Sequence, residues 1–266
     1  MNVWFSLLAV IILVLIPLGA VGGANLGYLF GIVIPYTAFG AFLCGFIYRV
    51  FQWGRSPVPF RIPTTCGQQK SLPWIKASFF DNPSNGVGVF GRMALEILLF
   101  RSLFRNTKVE LMGQRPVYGG AKWLWLAGLT FHWSFLFVLL RHLRFFTTPM
   151  PSWVDILTKM DGFFEIGVPT LFLTDAALLL AVAYLFLRRV VIPQLRYISL
   201  PADYFPLFLI LGVVLSGILM RHFYKVDLFR VKELASGWFR FTPVVPDGIG
   251  LPFYVHLFLV CVLLVY

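Results

Sequence analysis

Residues 123–146 read WLWLAGLTFHWSFLFVLLRHLRFF. Apolar and aromatic side chains fill nearly all of this stretch. It is long enough for one helical passage of a bilayer, which needs about 20 residues at roughly 1.5 Å each. His132 and His142 interrupt it, with Arg141 and Arg144 beside the second histidine. Ionisable side chains inside a span are costly and usually functional. The stretch therefore sets two expectations: the chain lives in a membrane, and its histidines carry the chemistry.

Five further apolar runs surround it: Val3–Val21, Tyr28–Phe51, Val168–Leu187, Tyr204–Met220, and Leu251 to the end. The predicted fold class is an all-α membrane protein, a bundle of about six transmembrane helices. Composition agrees. Of the 266 residues 59% are hydrophobic and 12% charged, and the mean hydropathy is +0.83. A water-soluble chain cannot hide that much apolar surface. The first run lacks the basic start of a signal peptide and reads as a retained span. The expected organisation is two N-terminal transmembrane helices in 1–51, a cytoplasmic loop in 52–121, and a four-helix transmembrane bundle that carries all four histidines in 122–266. The final apolar run is short for a span, so the natural chain is expected to continue past it. Within the loop, Val87–Arg105 repeats apolar residues at helical spacing, with Arg92, Arg101 and Arg105 between them. It reads as an amphipathic helix on the membrane surface, on a partner, or against the chain's own spans.

The net charge of +11 lies between the apolar runs. Such a pattern sets orientation and favours anionic lipid; it does not point to nucleic acid. The 49–122 and 188–203 stretches are rich in arginine and lysine, whereas 147–167 is acidic. The first two are expected in the cytoplasm, which also places the N-terminus there. The membrane would be the cell inner membrane, crossed several times. Cys44, Cys66 and Cys261 form no CxxC pair. That argues against a disulfide framework, and against an iron–sulfur cluster or covalently attached haem held by this chain alone.

The chain's four histidines, His132, His142, His222 and His256, all lie in or at the end of apolar runs. Neutral imidazole is a common metal ligand and an axial ligand of haem iron. His132 and His142 are about 15 Å apart along one helix and about 80° apart around it, so they cannot share one iron. They can serve two haems at different depths. His256 lies at the depth of His142 and is its expected partner across an outer haem. His222 is expected at the outer end of its span, where a helix-to-helix hydrogen bond suits it as well as any other role. Arg141 and Arg144 can pair with haem propionates or simply reach to the interface. Gly128, one turn before His132, can admit a flat porphyrin or a neighbouring helix.

These residues resemble the cytochrome b (gamma) subunit of respiratory nitrate reductase and its relatives. The resemblance rests on PYTAFGAFLCGFIYR at 35–49, FHWSFLFVLLRH at 131–142 and FYVHLFLV at 253–260. The extra first span and the loop FQWGRSPVPFRIPTTCGQQKSL at 51–72 look more like the DsrM-type membrane cytochrome b of the complex associated with dissimilatory sulfite reduction. The resemblance implies two b haems and menaquinol as electron donor. It implies a cytoplasmic iron–sulfur subunit of heterodisulfide-reductase-like, DsrK type, with a periplasmic cytochrome and other membrane subunits. It also implies that the second ligand for the haem at His132 lies after residue 266.

Resemblance further implies a quinol site beside the outer haem in which a lysine takes part. Its nearest counterpart is Lys159 in DILTKMD, with Asp155 and Asp161 close by. A lysine can donate to a quinol oxygen and a carboxylate can take its proton. The plainer alternative is a solvated loop charge. Asp175, within the fourth run, is a second proton-path candidate or an interhelical hydrogen-bond partner. Competing functions are a gamma subunit of a nitrate-reductase-like quinol oxidoreductase, a non-haem transporter whose histidines line a polar path, and an anchor for soluble subunits.

Overall fold

The structure is a computed structural model that describes residues 2–57, 74, 78–81, 83, 85–113, 115–162 and 172–266. The proline-rich opening of the 52–121 loop, Cys66 and the first residues of the run expected from Val168 lie outside the described residues. The chain divides into two compact units, 1–50 with 130–266, and 51–129.

The first unit contains α1 (Asn2–Ala24), a π-helical turn (Leu29–Val33) leading into α2 (Ile34–Arg55), and the larger part of α5 (Lys122–His142). It continues with α6 (Ser152–Asp161), α7 (Leu173–Val191), α8 (Pro193–Ile198), α9 (Pro201–His222), α10 (Leu228–Arg240) and α11 (Leu251–Val265). Four helical stretches are long and apolar enough to cross a membrane: Asn2–Ala24, Leu29–Arg55, Lys122–Phe145 and Pro201–His222. The fifth and sixth expected spans are less complete. α7 carries Asp175 in its first turn and Arg188 and Arg189 in its last. α11 has 15 residues, a length of about 22 Å.

Helix α9 packs against α1, α7 and α11. Val10 of α1, Tyr204, Phe208 and Leu209 of α9, and Val255 and Leu259 of α11 form the buried cluster between them. A Cβ placed on Gly212 would lie 3.3 Å from Leu259 Cδ1 and 3.6 Å from Val10 Cγ1. This is the close helix approach that small residues permit in membranes. Ser6, which is buried, donates to the carbonyl of Pro201 at 2.8 Å and ties α1 to the start of α9. A second cluster joins Phe30 and Ile32 of the π turn to Leu234, Ile249, Phe253 and Tyr254. Trp238 of α10 donates from Nε1 to Gly31 O at 2.9 Å, and Tyr36 donates to Trp238 O at 2.8 Å. α6 and α10 are helices where the sequence reads as loop. Asp227 caps α10 by accepting from Phe229 N at 2.9 Å.

The second unit contains α3 (Gly86–Leu99), α4 (Arg101–Phe104), a hairpin of β1 (Thr107–Met112) and β2 (Arg115–Gly120), and the first turns of α5. Asn85 caps α3 by accepting from Gly88 N at 2.8 Å. The single helix expected over Val87–Arg105 breaks at Phe100, which sits at φ +49° in the left-handed region. Glu96 holds the break by accepting from Ser102 N at 2.9 Å and Ser102 Oγ at 2.7 Å. The hairpin departs from an all-α fold. Its strands pair antiparallel from Thr107 with Gly120 to Met112 with Arg115, and Gly113 at φ +66° begins the turn. Glycine adopts that backbone without steric cost. Asp81 anchors this unit. It pairs with Arg101 at 2.8 Å and with Arg105, while Arg92 donates to its carbonyl. The hydrogen bonds from Arg101 and Ser78 hold its carboxyl down at about 2.

Candidate functional site

The last residue of α5 is His142, and α11 carries His256 in its second turn. The two ring centres are 6.4 Å apart and the ring planes lie 14° from parallel. An imidazole nitrogen binds a metal at about 2 Å, and the ring centre lies about 1 Å further back, so two imidazoles on opposite sides of one metal hold their centres roughly 6 Å apart. The observed separation has that value.

Each ring is oriented through Nδ1. His142 Nδ1 lies 2.7 Å from Val138 O. A carbonyl only accepts, so His142 Nδ1 carries the hydrogen. His256 Nδ1 lies 2.9 Å from Ser216 Oγ, and the Ser216 hydroxyl donates to Val213 O at 2.9 Å. Having given its one proton to Val213, Ser216 accepts from His256. These tautomers follow from the partners. Both leave Nε2 with a free lone pair, the state in which a metal-binding imidazole is held by a hydrogen bond at its other nitrogen. A Cβ on Gly217 would lie 3.4 Å from His256 Cε1, so the ring rests against bare backbone there. His142 is exposed and His256 half-buried.

The donor set suits haem. Two imidazoles are one ligand pair that completes a six-coordinate haem iron, since the porphyrin fills the remaining positions. Among the described residues no three His, Cys, Asp or Glu side chains gather as a metal site.

One residue before His142, the buried side chain of Arg141 faces two carboxylates. Its guanidinium lies 3.1 Å from Asp161 and 2.6 Å from Asp175, and it donates to Thr174 Oγ1 at 3.2 Å. Thr174 donates to Asp161 from its backbone N at 2.8 Å and from its hydroxyl at 2.6 Å. The Phe172 ring lies between Arg141, 3.7 Å from its centre, and Arg221, 3.9 Å from its centre. The ends of α5, α6, α7 and α9 are joined by these contacts. Arg141 Nε is a buried atom without a hydrogen-bond partner among the described residues.

The other candidate residues are placed as follows. Arg144 lies over the Phe145 ring at 4.8 Å. Lys159 pairs with Asp155 at 2.7 Å, one turn away on the exposed side of α6. His132 meets Phe131 edge to face at 4.9 Å. A Cβ on Gly128 would lie 3.3 Å from Leu103 Cδ2, inside the 51–129 unit. The fold thus brings His142 to His256 and Arg141 to both Asp161 and Asp175, and it pairs Lys159 with Asp155. Sequence reasoning missed Ser216, Gly217, Thr174 and Phe172, and gave Asp161 no bond to Arg141. An arginine inside an apolar run demands a counter-charge, which was a usable signal for Asp161. Ser216, a lone hydroxyl in an apolar run, was a weaker one.

Residues 98–266 match the profile of the nitrate reductase gamma subunit family. The chain is also similar to the Hdr-like menaquinol oxidoreductase cytochrome b-like subunit of Archaeoglobus fulgidus. Identity is 43% over 248 residues, covering 91% of this chain and 74% of the relative. The protein of the same name in Archaeoglobus profundus is 39% identical over 241 residues, covering 88% of this chain and 71% of the relative.

Proposed function

The chain belongs to the nitrate reductase gamma subunit family, and on that premise we propose that it is a membrane cytochrome b that oxidises menaquinol. Electrons would pass by way of two b haems to a cytoplasmic iron–sulfur subunit of heterodisulfide-reductase-like, DsrK type, in dissimilatory sulfur metabolism. A DsrM-type role brings with it a periplasmic cytochrome and further membrane subunits. The chain would sit in the cell inner membrane on six spans, α7 and α11 included, with its N-terminus in the cytoplasm. The observation that carries the reading is the 6.4 Å separation of the His142 and His256 rings.

His142 and His256 would hold the outer haem through Nε2. His132, about 15 Å back along α5, would serve the inner one. When bound, haem supplies the one-electron chemistry, and the protein supplies ligands, burial and charge. Val138 and Ser216 fix the direction of each imidazole. The free N–H of Arg141 and the guanidinium of Arg144 are donors for propionates. Gly128, one turn before His132, would admit the inner porphyrin or the neighbouring Leu103 side chain at the place where its own is missing. Lys159 Nζ would donate to a quinol oxygen, and Asp155 beside it would take a proton. Asp175 would receive protons at its carboxylate, with Arg141 holding it in place.

Purified protein from haem-sufficient cells is expected to show the absorption bands of b haem when dithionite-reduced and oxidised spectra are compared. Adding reduced menaquinone analogue should reproduce the reduced bands. A colourless preparation would remove the proposal.

A further inference from the structure

α4 lies alongside the first two turns of α5. Trp125 donates from Nε1 to Leu99 O at 2.6 Å, and its ring meets Phe104 edge to face at 4.9 Å. Lys122 Nζ sits 5.6 Å from the centre of the Phe104 ring. Further in, Gly128 is the residue on α5 that Leu103 approaches. Gly128 lies about 9 Å past Lys122 along a helix apolar enough to cross the bilayer. The corner between α3 and α4 is therefore held at the first two turns of that helix.

α3 enters that corner with an apolar stripe. Val87, Phe90, Met93 and Ile97 are each more than half exposed. Steps of three and four residues place them on one side of the helix. Arg92 and Glu96 lie on the other side and are held by Asp81 and Ser102. Trp123 and Leu126, at the start of α5, are also exposed. They belong to a bilayer-crossing stretch that lipid covers. The α3 stripe is a second exposed apolar surface of the same compact unit.

We infer that α3 is an interfacial helix whose Val87, Phe90, Met93 and Ile97 side chains lie among the upper acyl chains of the bilayer. The occupant of this face is lipid, and no partner subunit is needed to cover it. The inference rests on α5 crossing the membrane and is independent of haem.

The test places the photoreactive residue benzoylphenylalanine at Phe90, at Ile97 or at Leu99 of the full chain. Leu99 is exposed but lies about 180° around the helix from Phe90. Each protein is reconstituted into vesicles of phosphatidylethanolamine and phosphatidylglycerol, irradiated and weighed by mass spectrometry. Lipid adducts are expected several-fold more often at Phe90 and Ile97 than at Leu99. Equal labelling at all three positions would overturn the inference, as would no lipid adduct at Phe90 and Ile97. Cross-links from Phe90 or Ile97 to another protein in native membranes would also overturn it. The spectrum of each sample reports haem separately, so the two readings fail independently.

Discussion

The hydroxyl of Ser216 on α9 lies 2.9 Å from Nδ1 of His256 on α11. An imidazole that donates from Nδ1 becomes a stronger electron donor at Nε2 and favours ferric iron. Replacing Ser216 by alanine is expected to raise the midpoint potential of one b haem and to weaken haem retention by about 10-fold or more. Ser216→Thr should restore both. A redox titration with spectra and a pyridine haem assay check this, and an unchanged potential would contradict the role.

His142→Ala and His256→Ala should each remove the outer haem while leaving the other in place. Haem content should fall by about half in either variant, and the double variant should resemble the singles. Full haem content in both single variants would separate these residues from ligation.

Arg141 is expected to matter for folding more than for colour. Removing one partner of a buried ion pair leaves an uncompensated charge and costs about 3–5 kcal/mol. Arg141→Ala should therefore lower the unfolding temperature in detergent markedly. Arg141→Met combined with Asp161→Asn and Asp175→Asn should recover part of the loss.

Lys159 makes the opposite prediction. Its ion pair with Asp155 is exposed, and such pairs contribute about 1 kcal/mol or less. Lys159→Ala should leave stability and haem content unchanged. Reduction of haem by a menaquinol analogue should need several-fold more quinol. An unaltered quinol dependence would return Lys159 to an ordinary surface charge.

Acid should loosen the 51–129 unit. The Asp81 carboxyl is held at about 2 by Arg101, Ser78 and Arg105, below the usual carboxylate value of about 4. A depressed carboxylate favours the folded state above its unfolded value, and that contribution disappears as the pH falls from about 4 towards 2. Hydrogen exchange over residues 78–105 should accelerate in that window, and Asp81→Asn should flatten the dependence. The effect should be modest because water screens these charges.

The pairing of His142 with His256 was legible because histidine is scarce in apolar runs and helical rise fixes depth. The lone pairs left at Nε2 were not, since Ser216 is 40 residues away from His256 in the chain. The link from Arg141 to Asp161 was hidden because Asp161 ends a short helix that reads as loop. Phe100 carries no signal for a helix break: glycine is the usual left-handed residue at such a point. The hairpin at 107–120 was missed although Gly113 marks its turn. α10 lies between two apolar runs and mixes charged with apolar residues, so its helical side that packs on the π turn does not stand out in the sequence.

α9 carries no side chain at two places where α11 bears on it, Gly212 under Leu259 and Gly217 under His256. The Gly212 contact is tight at 3.3 Å, so backbone on one side and side chain on the other gauge the distance between the helices. At 217 a Cβ would come to ordinary contact with the imidazole at 3.4 Å, so the bare backbone marks how closely the ring can settle. The reach of an imidazole towards α5 is thus calibrated by a third helix that supplies no ligand.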